Sequence, residues 1–259
     1  MKNTDLSGKV ALVTGSSRGL GRHYAHKLAS AGADIIIHDI RSDAAAEFGE
    51  APSGEAVAEE IRRLGSEAIF LTADLTDPIQ VKELVQTAIN HFGKIDILVN
   101  NAGGDIGANT PRPNPNDALD IAVEDIESVV SRNLLTTMYM CKFVGKHMQQ
   151  RQTGKIINIG SGAGHVPTTE GIIYASAKAA ISHYTQCLGE QLRPFNVNVN
   201  CLAPASTYTG RFLATRSVNN QEGLSRLQQI AQPNDMAEIV LFLASAPSDY
   251  LTCETIVCR

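Results

Sequence analysis

The chain has no tryptophan, only 5% of its residues are aromatic, and it contains no Cys-x-x-Cys pair. Scarce aromatics disfavour a stacking platform for nucleic-acid bases. The five cysteines (Cys141, Cys187, Cys201, Cys253 and Cys258) are odd in number and scattered. Neither a metal site nor a disulfide framework is therefore expected, and reduced thiols are the simpler account. No apolar run approaches the ~18 residues that span a bilayer, and the first residues lack the apolar core of a secretory leader. A cytoplasmic protein without membrane partners is expected. Positive charge is not in excess either: 22 Lys and Arg stand against 27 Asp and Glu, for a net charge of −5. That balance is poor for binding nucleic acid or an anionic membrane. Disorder is excluded as well, because 43% of the 259 residues are hydrophobic.

What the chain does have is alternation. Apolar runs of strand length fall at Val10–Val13, 34–37, 68–71, 95–99, 156–159, 197–202 and Thr255–Val257. Helical patterns fill the spaces between them, at 19–31, 53–64, 78–91, 121–150, 172–191 and 234–245. Nearly continuous apolar strands alternating with helices predict a parallel sheet covered on both faces. Right-handed crossovers then give a doubly wound, Rossmann-type α/β fold of about seven strands. No repeat or linker divides residues 1–259, so one dinucleotide-binding and catalytic domain is expected. Three stretches interrupt the pattern: 42–54, the proline-rich 103–120 and the polar 205–232. Long loops at strand ends are candidate substrate walls, or plain surface.

After the first strand comes Thr14-Gly-Ser-Ser-Arg-Gly-Leu-Gly21. Gly15, Gly19 and Gly21 suit a tight turn whose backbone a pyrophosphate can approach. The helix that follows offers free N–H groups and the positive end of its dipole. Asp39 lies 18 residues beyond Gly21, near the ~20-residue offset of a carboxylate that binds the adenosine ribose diol. Such a group repels a 2′-phosphate and argues for NAD over NADP. Arg18 and Arg41 argue the other way, since a guanidinium can clamp phosphate.

Tyr174-Ala-Ser-Ala-Lys178 lies in a helical pattern, where positions i and i+4 share a face. A nearby ammonium favours the phenolate and brings a tyrosine of pKa ~10 toward neutral pH, as acid/base work on an alcohol requires. Alone, this spacing occurs by chance in many helices and favours a surface pair. With its neighbours it resembles the short-chain dehydrogenase/reductase family over nearly the whole chain. Thr14-Gly15-x-x-x-Gly19-x-Gly21 matches the family's glycine motif, Asn100-Asn101-Ala102-Gly103 its N-N-A-G, and Asp74-Leu75 its acidic–aliphatic pair beside adenine. Asn133, Ser161, Tyr174 and Lys178 follow the order of its catalytic tetrad.

The resemblance implies an NAD(P)-linked interconversion of a secondary alcohol and a ketone. It implies Tyr174 as general acid/base, Lys178 lowering its pKa and binding the nicotinamide ribose, Ser161 bonding the reacting oxygen, and Asn133 fixing a relay water. Cofactor contacts are expected at Gly15, Ser17, Arg18, Gly19, Leu20, Gly21, Asp39, Asp74, Leu75, Asn101, Ala102, Gly103, Tyr174, Lys178, Pro204, Thr207 and Thr209, with no metal. It makes 205–232 a substrate lid, whose Arg211 and Arg216 would suit a polar or anionic substrate, a cofactor phosphate, or solvent. It also implies a homotetramer through the helices at 121–150 and 172–191, with a dimer as the fallback; the apolar Leu134, Met138, Val144, Ala179 and Ile181 are consistent with such contacts or with internal core. The chain departs from the family at Ala205 and Cys253, where glycines are usual. Competing readings are a 3-oxoacyl thioester reductase using NADPH and a non-catalytic NAD(P)-sensing protein.

Overall fold

A computed structural model of the chain describes residues 3–215 and 230–258. Seven strands form one parallel sheet: β1 (Val10–Val13), β2 (Asp34–Asp39), β3 (Ala68–Thr72), β4 (Ile97–Asn100), β5 (Gly154–Ile159), β6 (Val197–Ala203) and β7 (Thr255–Val257). Their order is β3-β2-β1-β4-β5-β6-β7, so the direction of winding reverses between β1 and β4. That reversal opens a crevice at the carboxyl ends of the strands, the usual ligand position in such sheets.

Alternate residues of β1 and β2 point to opposite faces, and both sets are apolar. Ala11, Val13, Ile35 and Ile37 pack under α1 (Gly19–Ser30), α2 (Gly54–Arg62) and α8 (Pro233–Ala244) through Leu28, Ile61 and Val240. Val10, Leu12, Ile36 and Leu98 pack under α3 (Pro78–Phe92) and α5 (Thr136–Arg151) through Leu84, Met140 and Met148. Among the described residues, the other α-helices are α4 (Val123–Val130), α6 (Ile172–Leu192) and α7 (Gly210–Thr215). Among the described residues, no helix is long and apolar enough to cross a membrane.

Three differences from the sequence reading matter. The helix expected over 121–150 is two helices, α4 and α5, joined by a π-helical turn at Ser131–Leu135. Side chains cause it locally: Asn133, Thr136 and Thr137 all donate to carbonyls four residues back, at 2.8 to 2.9 Å. Such back-bonding competes with the regular ladder, and π turns cluster at functional sites. Second, β2 continues past Ile37 through His38 to Asp39, where it pairs with Thr72 of β3. Third, the stretch 42–54 contains a short 3-10 helix, Ala44–Phe48, whose Ala44 and Ala45 are buried. Of the expected lid, residues 205–215, which include α7, and 230–232 are described, and a bridge joins Thr207, just before α7, to Ala231. Arg216 lies outside the described residues.

Candidate active site

The strand ends open onto a cleft of about 520 Å³, walled by Gly15, Asp39, Ala102, Ser161, Tyr174 and Lys178 among others. Its floor at one end is the glycine turn. Gly15 has φ +61°, and a Cβ there would come within 3.0 Å of Ala102 Cα. A Cβ on Gly21 would lie 2.2 Å from the Gly15 carbonyl oxygen. Only glycine lets turn and helix approach this closely. Thr14 Oγ1 accepts the N–H groups of Asn101 and Ala102, both at 2.9 Å, while the Asn101 amide donates back to the Thr14 and Gly15 carbonyls at 3.0 Å. The ends of β1 and β4 are thus bolted together.

The Gly19 N–H donates to Glu50 Oε2 at 2.6 Å, so a carboxylate from the 42–54 segment takes the first amide of α1. A carboxylate on that amide is what the positive end of a helix dipole favours. Asp39, only 6% exposed, accepts from the Ser17 hydroxyl and from Ile40 N–H at 2.9 Å, and lines the cleft wall. Burial holds His38 below the ordinary imidazole range, so the ring is neutral. Its neighbours assign the tautomer: Nε2 donates to the Ala73 carbonyl at 3.1 Å, and Nδ1 accepts the Gly15 N–H at 3.3 Å.

The other end carries the acid/base groups. Tyr174 sits in the first turn of α6 and Lys178 one turn later, with Lys178 Nζ 5.7 Å from the Tyr174 ring centroid. Lys178 is 4% exposed and donates to the Ile159 carbonyl at 2.8 Å. Burial pulls its ammonium down to about 8, still charged at neutral pH. Ser161, at the end of β5, accepts the Ala163 N–H at 3.2 Å and caps a 3-10 turn facing the same cleft. Arg211, from α7, lies flat on Gly104, where a Cβ would meet its Nη1 at 2.8 Å, and donates to the Asp105 carbonyl at 3.1 Å.

Comparison with known proteins agrees with this geometry. The family model described as short chain dehydrogenase matches residues 9–220. A cyclohexanol dehydrogenase of Rhodococcus sp. (strain TK6) is 39% identical, with 96% of this chain and 94% of the relative covered. The chain belongs to the short-chain dehydrogenase family. A 3-oxoacyl-(acyl-carrier-protein) reductase of Chlamydia pneumoniae is 34% identical, over 97% of this chain and 96% of that one. Among solved structures, a 7 alpha-hydroxysteroid dehydrogenase complexed with NADH and 7-oxo glycochenodeoxycholic acid superposes with a TM-score of 0.86 at 30% identity, covering 99% of this chain and 94% of that one. Like other short-chain dehydrogenases, this protein is an NAD(P)-dependent oxidoreductase acting on CH–OH groups.

The expected site residues divide into two groups in this short-chain dehydrogenase. Gly15, Arg18, Gly19, Leu20, Asp39, Asp74, Leu75, Asn101, Ala102, Gly103, Ser161, Tyr174, Lys178, Pro204, Thr207 and Thr209 line the cleft. Ser17, Gly21 and Asn133 stand behind it. Ser17 is fully buried because its hydroxyl serves Asp39. Asn133 is buried too: Oδ1 accepts Gly104 N–H, and Nδ2 donates to the Gly104 carbonyl, both at 2.9 Å. Its amide therefore fastens the loop beside the cleft instead of facing it. His38, Glu47 and Glu50 were not legible as site residues, since only tertiary folding brings them to the glycine turn. Cys253 holds φ +68°, the left-handed backbone that explains why glycine is usual there. No cluster of three or more His, Cys, Asp or Glu suited to a metal ion occurs among the described residues.

Proposed function

We propose that the protein interconverts a secondary alcohol and a ketone with NAD(H), using Tyr174 as the general acid/base. Lys178 carries this reading: its ammonium is buried yet still charged at neutral pH, and it stands one helical turn from a cleft-facing phenol. Its charge favours the phenolate, which takes the hydroxyl proton of an alcohol or, as phenol, returns one to a ketone oxygen. Ser161 holds the same oxygen and orients it. Asn133 acts at one remove, by fixing the 103–105 backbone. When bound, the nicotinamide supplies the hydride acceptor or donor. The relative acting on cyclohexanol supports a secondary alcohol as the substrate class.

NAD is favoured because Asp39 offers only acceptors at the wall where an adenosine ribose would bind. The expected result is a higher kcat/KM with NAD⁺ than with NADP⁺, a gap that Asp39→Ala narrows. Initial rates of NADH or NADPH formation with cyclohexanol and other secondary alcohols measure both. A wild-type preference for NADP⁺ would count against the assignment. It would favour the second reading, 3-oxoacyl thioester reduction with NADPH, for which Arg18 in the cleft is the supporting feature.

We also propose a homotetramer, with a dimer as the simpler form. Two residues expected at its helical faces do not serve there: Val144 and Ile181 are fully buried within one chain. Leu134, Met138 and Ala179 are only partly buried and are the remaining candidates. Light scattering should give a multiple of 27.7 kDa; a particle of that single mass would refute it.

A further inference from the structure

The two arginines that could admit a 2′-phosphate share a single carboxylate oxygen. Arg18 Nη1 lies 2.7 Å from Glu47 Oε2, and Arg41 Nη2 lies 3.0 Å from the same atom. Arg41 also places Nε 2.7 Å from Asp43 Oδ1. Arg18 is further fixed by Phe48, whose ring centroid is 4.9 Å from its guanidinium carbon. Glu47 and Phe48 both belong to the short 3-10 helix of the segment between β2 and α2. The buried Arg18 Nη1 has no well-aligned hydrogen bond in spite of its close ion pair. Its guanidinium is thus held by charge and stacking, not by a fork-to-fork pair.

We propose that Glu47 is a specificity-determining residue: a resident anion seated between Arg18 and Arg41, where the 2′-phosphate of NADP would have to bind. This rests on the NAD reading above and supplies a second reason for it. Asp39 repels a 2′-phosphate from the strand end, while Glu47 removes the cations that could outweigh that repulsion. Arg211 from α7 also lies within charge range of Arg18 and Glu47, so Asp39, Asp43, Glu47 and Glu50 face Arg18, Arg41 and Arg211, and the rim stays negative. A phosphate could bind only by expelling Glu47, because two anions cannot share one pair of arginines without repulsion. Arg41 is half exposed, so solvent screens its pairing. Arg18, at 21% side-chain exposure, is the pairing that matters most.

The test is equilibrium titration of the purified protein with NAD⁺, NADP⁺ and adenosine 2′,5′-bisphosphate, followed by calorimetry. Glu47→Gln keeps the shape of the side chain and removes its charge. It should tighten NADP⁺ and the bisphosphate by roughly tenfold, the worth of one charge-assisted hydrogen bond, with little change for NAD⁺. Adding Arg18→Met should abolish that gain. Thermal unfolding of each variant checks that the fold is kept. Unchanged NADP⁺ affinity in Glu47→Gln, or a gain that survives Arg18→Met, would overturn the inference while leaving an NAD preference intact. A wild-type protein that binds NADP⁺ better than NAD⁺ would overturn both.

Discussion

Tyr174→Phe should lower kcat by ~100–10,000-fold, the range for loss of a positioned acid/base, while the NAD⁺ dissociation constant stays nearly constant. Only one hydroxyl is removed. The ring remains in the first turn of α6, the Lys178–Ile159 hydrogen bond is untouched, and the glycine turn lies at the other end of the cleft. Loss confined to kcat is the mark of a group that acts in the transition state. Single-turnover rates with a secondary alcohol, beside a fluorescence titration of NAD⁺, separate the two quantities. A variant that keeps more than a tenth of wild-type turnover would remove Tyr174 from the chemistry.

Lys178→Met should cost a comparable factor, ~100-fold or more, but with a different signature. The lysine is expected to hold the nicotinamide ribose as well as the phenolate, so cofactor affinity should weaken along with the rate. The pH profile distinguishes the two variants further. Burial lowers the Lys178 pKa from 10.5 to about 8. Below pH 8 the folded and unfolded lysines are both charged, and the fold bears the full cost of burying that charge. Between pH 8 and 10.5 the folded chain sheds its proton first, so this contribution to stability improves as pH rises. Activity should move the opposite way, because a neutral lysine no longer favours the phenolate. In the free enzyme, kcat/KM should therefore fall above about pH 8. Lys178→Met should lack that falling limb, and its rising limb should shift to higher pH. A descending limb that persists in the variant would assign it to another group.

Much of this site could be read from the chain because its parts lie at strand ends. Gly15, Asp39, Asn101, Ser161 and Pro204 each follow or end an apolar run, and a parallel sheet gathers all such positions along one edge. Tyr174 and Lys178 needed only helical spacing. What could not be read depends on contacts between distant segments. The stretch 42–54 reads as an irregular extension, either a substrate wall or plain surface, and nothing in it signals that it sends Glu47 to Arg18 and Glu50 to Gly19. Its four alanines and lone phenylalanine give no periodic signal, so the burial of Ala44, Ala45 and Ala51 emerges only once the segment folds over the glycine turn. Arg18 and Arg41 read as free cations for the same reason. The π turn carries no signal in the apolar pattern of 121–150, because it is hydroxyl and amide groups that alter the backbone ladder there. Ser17 is the reverse case: its place in the glycine motif suggested the cofactor, but the nearest strong acceptor is Asp39, and the hydroxyl turns inward.

If hydride passes between an alcohol carbon and the nicotinamide while Tyr174 moves the proton, a deuterium label on that carbon must follow the hydride. The enzyme is incubated with NAD⁺ and cyclohexanol, or another secondary alcohol it turns over, carrying deuterium on the carbinol carbon. The reduced cofactor is then analysed by mass spectrometry and proton NMR. NADH bearing deuterium at C4 of the nicotinamide, formed by the wild-type protein and suppressed in Tyr174→Phe, is the expected result. Bound NAD⁺ that yields no labelled NADH with any secondary alcohol tested, or label transfer that proceeds undiminished in Tyr174→Phe, would contradict it.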